Sequence, residues 1–188
     1  MRVSREQVAE NRRQILEAAG RLFRQRGFEA VTVAEVMKAA GLTHGGFYGY
    51  FASKDELIAT TLTELMAAPD PERVTLEAYA NRYLTSEHMA DCAGGCPVAA
   101  LGTDIGRQSP AARAAMTEGL RRQIDRLGEG AARDDRRAAR QNAIGSWAAM
   151  VGAMILARMS DDPALAQEVL KETRAFIEKR AKRTPGES

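Results

Sequence analysis

Cysteine and aromatic residues are both scarce in this 188-residue chain, which has two cysteines, Cys92 and Cys96, and only 5% aromatic side chains. Two thiols are too few for a disulfide scaffold, so a reducing cytoplasm is the expected setting. Charge of one sign is also in short supply. The 27 lysines and arginines against 25 acidic residues leave a formal net charge of +2. That is too mild to argue for nucleic acid, so a DNA-binding reading must rest on where the basic groups sit. Long hydrophobic runs are missing. The longest, Ala143 to Ala157, is interrupted by Ser146 and falls short of the ~20 residues that span a bilayer. No membrane partner is expected. The segment from Met1 to Glu10 carries Arg2, Arg5, Glu6 and Glu10 and no apolar stretch of the signal-peptide kind. Alternating β-branched segments, a phosphate loop, a carboxylate dyad and a nucleophile–base pair are all lacking. The expectation is a non-enzyme with no resident cofactor and no metal.

What is present is a chain 45% hydrophobic and 28% charged, long enough for one large or two small domains at ~150 residues each. Nearly every segment has helical period. Ile15, Leu16, Ala19, Leu22 and Phe23 form one face of a first helix that Gly27 stops. Thr32, with Glu35 three residues on, makes a capping box for a short second helix ending at Gly41. Thr43 is expected to cap a third, from about His44 to Phe51, and Ser53 a fourth, with Glu56 at the capping-box position. Asp70 and Pro71 are expected to open the next helix, through Leu84. The glycines and proline of Asp91 to Pro97 break the chain. Pro97 then starts a helix reaching about Gln108, and Ser109-Pro110 starts another that ends near Gly128 and Gly130. Asp134 opens a long helix through Arg158, Asp161 or Asp162 with Pro163 opens the last, and the tail after Lys182 is frayed. The expectation is an all-α fold of about nine helices, divided into a small basic head over residues 1–53 and a larger body over 54–188.

Thr32 to Lys54 carries the functional signal. Two short helices about a tight Gly41-Leu42-Thr43 corner make a helix-turn-helix, whose second helix would place its N-terminal side chains in a DNA major groove. Thr43 and His44 can bond to base or phosphate. Gly45 and Gly46 let the backbone come close. Tyr48 and Tyr50 offer hydroxyls to phosphates, and Lys54 a charge at the rim. An αα-corner of a helical bundle fits the same signal. Against it stand two glycines inside a short helix, each costing up to ~1 kcal/mol relative to alanine, and two tyrosines within four positions of them.

Arg13-Gln14-Ile15-Leu16-Glu17-Ala18-Ala19, Leu22-Phe23 and Gly27-Phe28 resemble the first helix of the TetR family of transcriptional regulators. Thr32-Val33-Ala34-Glu35-Val36 and Ala40-Gly41-Leu42-Thr43 resemble that family's second helix and turn. Phe47-Tyr48, Tyr50-Phe51 and Lys54-Asp55-Glu56-Leu57 resemble its third helix and the start of its fourth. The resemblance implies an all-α homodimer, with an N-terminal head that binds double-stranded operator DNA and a C-terminal body that binds a small effector. It implies a repressor released by that effector. Carried over position by position, it puts Thr32, Thr43, His44, Gly45, Gly46, Tyr48, Tyr50 and Lys54 against DNA. Gly46 and Gly49 depart from the pattern by replacing side chains, which leaves more of the recognition to His44 and to DNA shape. Further on, Gly95-Cys96-Pro97-Val98-Ala99-Ala100-Leu101, with Met116, resembles a Gly-Cys element of one subgroup, some of whose members respond to lipophilic drugs or electrophiles.

Cys96, just before Pro97, sits where a helix dipole would favour its thiolate. It is a candidate oxidant or electrophile sensor with Cys92 as resolving thiol, or else a small residue filling a corner. Met116 and Trp147 are further effector candidates, the methionines suiting an adaptable apolar pocket. The dimer surface is expected on the last two helices. Small residues from Ala143 to Ala157 allow close approach there, Ile144, Trp147, Val151, Met154 and Ile155 add apolar area, and Leu170, Phe176 and Ile177 supply the facing stripe. Such a dimer would read a palindrome with its two heads ~34–36 Å, or a longer fixed spacing, apart. Two rival readings remain at this point. One is a thiol redox enzyme using Cys92 and Cys96, and the other a constitutive DNA-binding protein without effector.

Overall fold

The computed structural model describes residues 4–67, 75–129 and 136–182. Among them are nine α-helices and two 3-10 helices, and no strand. The α-helices are α1 (Arg5–Arg26), α2 (Val33–Ala39), α3 (Lys54–Ala67), α4 (Leu76–Tyr83), α5 (Ser86–Ala90), α6 (Pro97–Leu101), α7 (Pro110–Gly128), α8 (Arg136–Met159) and α9 (Pro163–Lys182). The 3-10 helices are His44–Gly49 and Ile105–Arg107. The all-α expectation agrees with this, and the expected count of about nine helices is close. Packing divides the chain into two compact units, residues 1–68 with 92–119, and residues 69–91 with 120–188.

In the first unit, α1 buries Ile15, Leu16, Ala19 and Phe23, the face its periodicity marks. Its N-terminus is capped by Ser4, whose hydroxyl accepts from Gln7 N at 3.1 Å. At its other end Gly27 takes φ 78°, which a side chain rarely adopts. The Thr32 capping box forms as expected, with Glu35 N on Thr32 Oγ1 at 3.2 Å and Thr32 N on Glu35 Oε2 at 2.8 Å. Gly41, at φ 72°, turns the corner while Leu42 N bonds back to Met37 O at 2.9 Å. Ser53 accepts from Glu56 N at 3.1 Å, but the Glu56 carboxylate accepts from Ala52 N rather than from Ser53 N. Phe23, Phe28, Phe47, Phe51, Leu57 and Leu62 are buried, each contributing ~1.5–3 kcal/mol by removal from water. Four of the five phenylalanines of the chain are therefore spent on this unit's core.

One expected boundary moves here. The helix from Pro97 stops at Leu101 instead of Gln108 and gives way to the 3-10 turn Ile105–Arg107. Gly102, Thr103, Asp104 and Gly106 are poor helix residues, and Asp104 N bonds Leu101 O in i+3 geometry at 3.0 Å. The segment is also tied to α1. Arg24 Nε donates to Ala93 O and Gln108 Nε2 to Glu29 Oε1. Arg107 and Asp104 pair at 2.8 Å, as a solvated pair should.

The second unit packs α4, α8 and α9 about Ala80, Tyr83, Leu84, Met150, Met154, Leu170 and Ile177. Its first described helix begins at Leu76, capped by Thr75, which accepts from Ala78 N at 3.1 Å. The Asp70-Pro71 start lies outside the described residues, as do Gly130, Asp134 and the tail after Lys182. The expected single helix through Leu84 is interrupted, because Thr85 caps a separate α5 by accepting from His88 N at 3.1 Å. Threonine is as good a cap as it is a poor interior residue. Asp162 caps α9, its carboxylate accepting from Ala164 N at 2.8 Å. No helix of the described residues is long and apolar enough to cross a membrane.

Candidate nucleic-acid interface

The helix-turn-helix corner alternates inward phenylalanines with outward polar or small residues. Phe47 and Phe51 are buried and stack with ring centroids 5.8 Å apart. Arg12 of α1 lies over the Phe51 ring at 5.1 Å. This anchors a short 3-10 element that local propensity alone could not hold, given three glycines in six residues. Its other side is open. Thr43, His44 and Gly45 are exposed, and Tyr48 is 74% exposed. A Cβ built at Gly45 meets nothing within 4 Å. The element is 3-10 rather than α-helical, and Thr43 makes no side-chain cap bond. Its carbonyl accepts from Gly46 N instead.

The remaining expected contact residues are engaged in different ways. Thr32 is exposed, but its hydroxyl both accepts from Glu35 N and donates to Glu35 Oε2. Its side chain is occupied with the cap. Tyr50 is half-buried, and its hydroxyl oxygen accepts from Asn11 Nδ2 at 2.7 Å, while Asn11 Oδ1 accepts from Gln7 Nε2 at 2.8 Å. Only the Tyr50 O–H remains to donate outward. Gly46 and Lys54 are half-buried. Lys54 is the first residue of α3, where a cation opposes the helix dipole. Helix stability therefore does not explain a lysine at this position. Sequence periodicity missed Gln7, Asn11 and Arg12, since side chains on one helix that brace another element leave no local pattern.

Glu35 links the two ends of this head. Its carboxylate accepts from Thr32 and from Arg26 Nη1 at 2.8 Å. The backbone bond from Thr32, reinforced by Arg26, holds its pKa down at about 2. The orientation of α2 against the end of α1 thus depends on a charged Glu35.

Cys92 and Cys96 are half-buried and are not joined in a disulfide. Cys96 occupies the N-cap position of α6, as expected, but its sulfur makes no capping bond. Met116 is buried in the same unit, whereas Trp147 is buried in the other. The four effector candidates therefore do not form one cluster within either unit. Among the described residues no group of three potential metal ligands occurs.

Of the expected dimer residues, Ile144 and Phe176 are exposed, and Val151 and Ile155 half-buried. Trp147, Met154, Leu170 and Ile177 are a correction to that stripe, because they are buried in the subunit's own core. The helices α8 and α9 are apolar on two sides, and period alone cannot say which side faces inward. Leu156, Met159 and Leu165 are exposed large side chains that the reading of the sequence left out. At Gly145 and Gly152 an added Cβ would meet nothing within 4 Å.

The chain is similar to known proteins in both sequence and fold. Residues 15–61 match the profile of bacterial regulatory proteins of the tetR family, and residues 71–173 match a tetracyclin repressor-like C-terminal domain. The transcriptional regulator TtgR of Pseudomonas putida is 39% identical over 70 residues, 37% of this chain and 33% of TtgR. The chain thus spans about a third of the length of the curated relatives it matches. In structure, the reduced form of Escherichia coli NemR is similar over 90% of this chain and 96% of that one, with TM-score 0.74 and 25% identity. A TetR-family regulator from Agrobacterium tumefaciens shares the fold, at TM-score 0.70 and 21% identity over 92% of this chain and 98% of that one.

Proposed function

The chain belongs to the TetR family of bacterial regulatory proteins, and on that premise we propose that it is a transcriptional repressor which binds a palindromic operator as a homodimer and is released by an effector. The exposed His44–Tyr48 edge, held from behind by Phe47 and Phe51, carries the reading. A rigid apolar back and an open polar front suit insertion into a major groove. Residues 1–53 form the reading head and 54–188 the body. Thr43, His44 and Tyr48 face bases or phosphates. Gly45 and Gly46 admit the backbone, and Tyr50 and Lys54 donate to phosphates at the rim. Thr32 contributes by fixing α2. Ile144, Val151, Ile155 and Phe176 supply the dimer face.

Release is a population shift. An effector that prefers a body with displaced α3 moves the two heads away from the spacing DNA accepts, and a differential affinity of a few kcal/mol suffices for a large change in occupancy. Thiol modification at Cys96, with Cys92 resolving, is a second input. Arg24 supports it, since it joins α1 to the carbonyl of Ala93, between the two thiols.

The test is selection of bound duplexes from a randomised pool by the purified full chain, followed by a compound and oxidant panel on the selected site. The expected result is a two-fold symmetric site with half-sites a fixed number of DNA turns apart, and loss of binding with at least one compound. Recovery of no preferred sequence overturns the regulator reading. Preservation of binding under every compound and oxidant overturns the switch. For the thiol input, Cys96→Ser is expected to abolish oxidant-induced release, and an unaltered response in that variant excludes it.

A further inference from the structure

Two consecutive residues of α1 hold two consecutive residues of the reading corner. Arg12 covers the Phe51 ring at 5.1 Å. Asn11 Nδ2 donates to the Tyr50 hydroxyl oxygen at 2.7 Å, across 39 positions of sequence. Behind that bond stands another, from Gln7 Nε2 to Asn11 Oδ1 at 2.8 Å, one turn earlier in the same helix. Asn11 and Tyr50 are half-buried and Gln7 is exposed. The three side chains thus run as a series of donors and acceptors from the first turns of α1 to the end of the exposed edge.

The backbone of the corner does not depend on this series. Tyr50 N and Phe51 N both donate to Phe47 O, at 2.9 and 3.1 Å, and the buried, stacked Phe47 and Phe51 rings fasten the turn from inside. What that packing leaves free is the Tyr50 proton, because a phenol O–H can turn. Asn11 removes the choice. Its N–H occupies the side of the phenol oxygen that faces α1, so the proton points away from α1. A DNA phosphate offers acceptors alone. A phosphate on Tyr50 therefore requires this order of bonds, with the phenol oxygen receiving from Asn11 and the Asn11 oxygen receiving from Gln7. Bonds in series that share one direction polarise each other, which makes the last O–H a better donor.

We propose that Asn11, itself held by Gln7, is a positioning residue for operator binding, which aims the Tyr50 hydroxyl proton at a phosphate of the duplex. It acts through Tyr50 and does not touch DNA. This rests on the operator-binding reading above and brings two residues of α1 into that contact. A neutral donor to phosphate carries no base information and neutralises no charge. Its loss weakens binding to all sequences alike and leaves the dependence on salt as it was.

The test is a double-mutant cycle on the full-length protein, with Asn11→Leu, Tyr50→Phe and the two combined. Fluorescence anisotropy reads affinity for the selected operator and for an unrelated duplex at several salt concentrations, and thermal unfolding reads stability. Each single variant is expected to bind operator ~3-fold or more weakly, the scale of one hydrogen bond. The combined variant is expected to bind no more weakly than Tyr50→Phe. It is expected to regain the thermal midpoint that Tyr50→Phe loses, since neither partner is left unpaired, but not the affinity. The salt slope and the ratio of operator to unrelated-duplex binding are expected to match those of the wild-type protein.

An Asn11→Leu affinity within ~2-fold of wild type overturns the proposal. A further loss on adding Asn11→Leu to Tyr50→Phe overturns it as well, because Asn11 would then meet DNA itself. A combined variant that regains both midpoint and affinity reduces the bond to a structural brace, and a changed salt slope or duplex ratio marks a different kind of contact; both overturn it. If the wild-type protein selects no duplex, the regulator reading falls and this proposal with it. If it selects one and only the cycle fails, the regulator reading stands.

Discussion

Gly119 of α7 and Met66 of α3 pack so closely that a β-carbon at position 119 would stand 2.4 Å from Met66 Cβ and 2.7 Å from its Cγ and Cε. The nearest of these atoms is fixed to the helix backbone and cannot swing aside, so any larger residue must move α3 itself. Gly119→Ala is expected to destabilise by ~1–3 kcal/mol, the usual cost of overpacking, read as a lower thermal midpoint. Operator affinity is expected to fall as well, because α3 begins at Lys54 beside the reading edge. Met66→Ala in the same chain still leaves a β-carbon in place, so it restores only part of the loss.

Tyr48 and Tyr50 separate two roles that their shared residue type conceals. Tyr48 is exposed and braced only by its edge contact with Phe47, whose ring centroid lies 5.3 Å away. Tyr48→Phe is expected to leave stability within ~0.5 kcal/mol and to weaken operator binding several-fold. Tyr50→Phe removes the acceptor for Asn11 and is expected to cost ~1 kcal/mol of stability. Chemical unfolding and fluorescence anisotropy on a labelled operator read the two quantities independently.

Glu35 makes the head sensitive to strong acid. Its folded pKa of about 2 lies below its ordinary 4.5. The capping box and the Arg26 pair are therefore fully present above about pH 4.5, and are lost as pH falls toward 2. Glu35→Gln is expected to flatten that part of the stability–pH curve. An unchanged slope in the variant would show that other carboxylates cause it.

His88 acts in the opposite part of the pH range. Burial lowers its pKa from 6.5, against the pull of its hydrogen bond to Tyr83 O. The ring is neutral in the fold and sits edge-on to Tyr83, with its Nδ1 2.7 Å from that carbonyl. The guanidinium of Arg158 caps the carbonyls of His88 and Met89 and repels a second positive charge. A depressed histidine pKa means that the unfolded chain takes up the proton first. Stability is then expected to fall as pH drops below about 6.5, and His88→Gln is expected to remove that loss. Thermal unfolding across pH 5–8 (roughly the range in which histidine titrates) checks it.

Local chemistry made much of this molecule legible from its residues. The Thr32–Glu35 box, Gly27 and Gly41 at positive φ, and the Ser109-Pro110 and Asp162-Pro163 starts each need only neighbours within four positions. The Thr75 and Thr85 caps, by contrast, are hidden in the sequence, because the apolar pattern around them reads as one continuous helix. The reading edge was legible as a set of residues but not as a set of roles. Thr32 and Tyr50 look like free hydroxyls until Glu35 and Asn11 are seen bonded to them.

Period and capping in the chain itself determined an all-α protein with a helix-turn-helix near its start, since helix formation depends on residues three and four apart. Which apolar face turns inward was settled only by packing. Trp147 and Met154 went inside while Ile144 stayed out, because burial depends on what a distant segment brings against each face. The same holds for Gly119, whose missing side chain matters only once Met66, far away in sequence, lies across it.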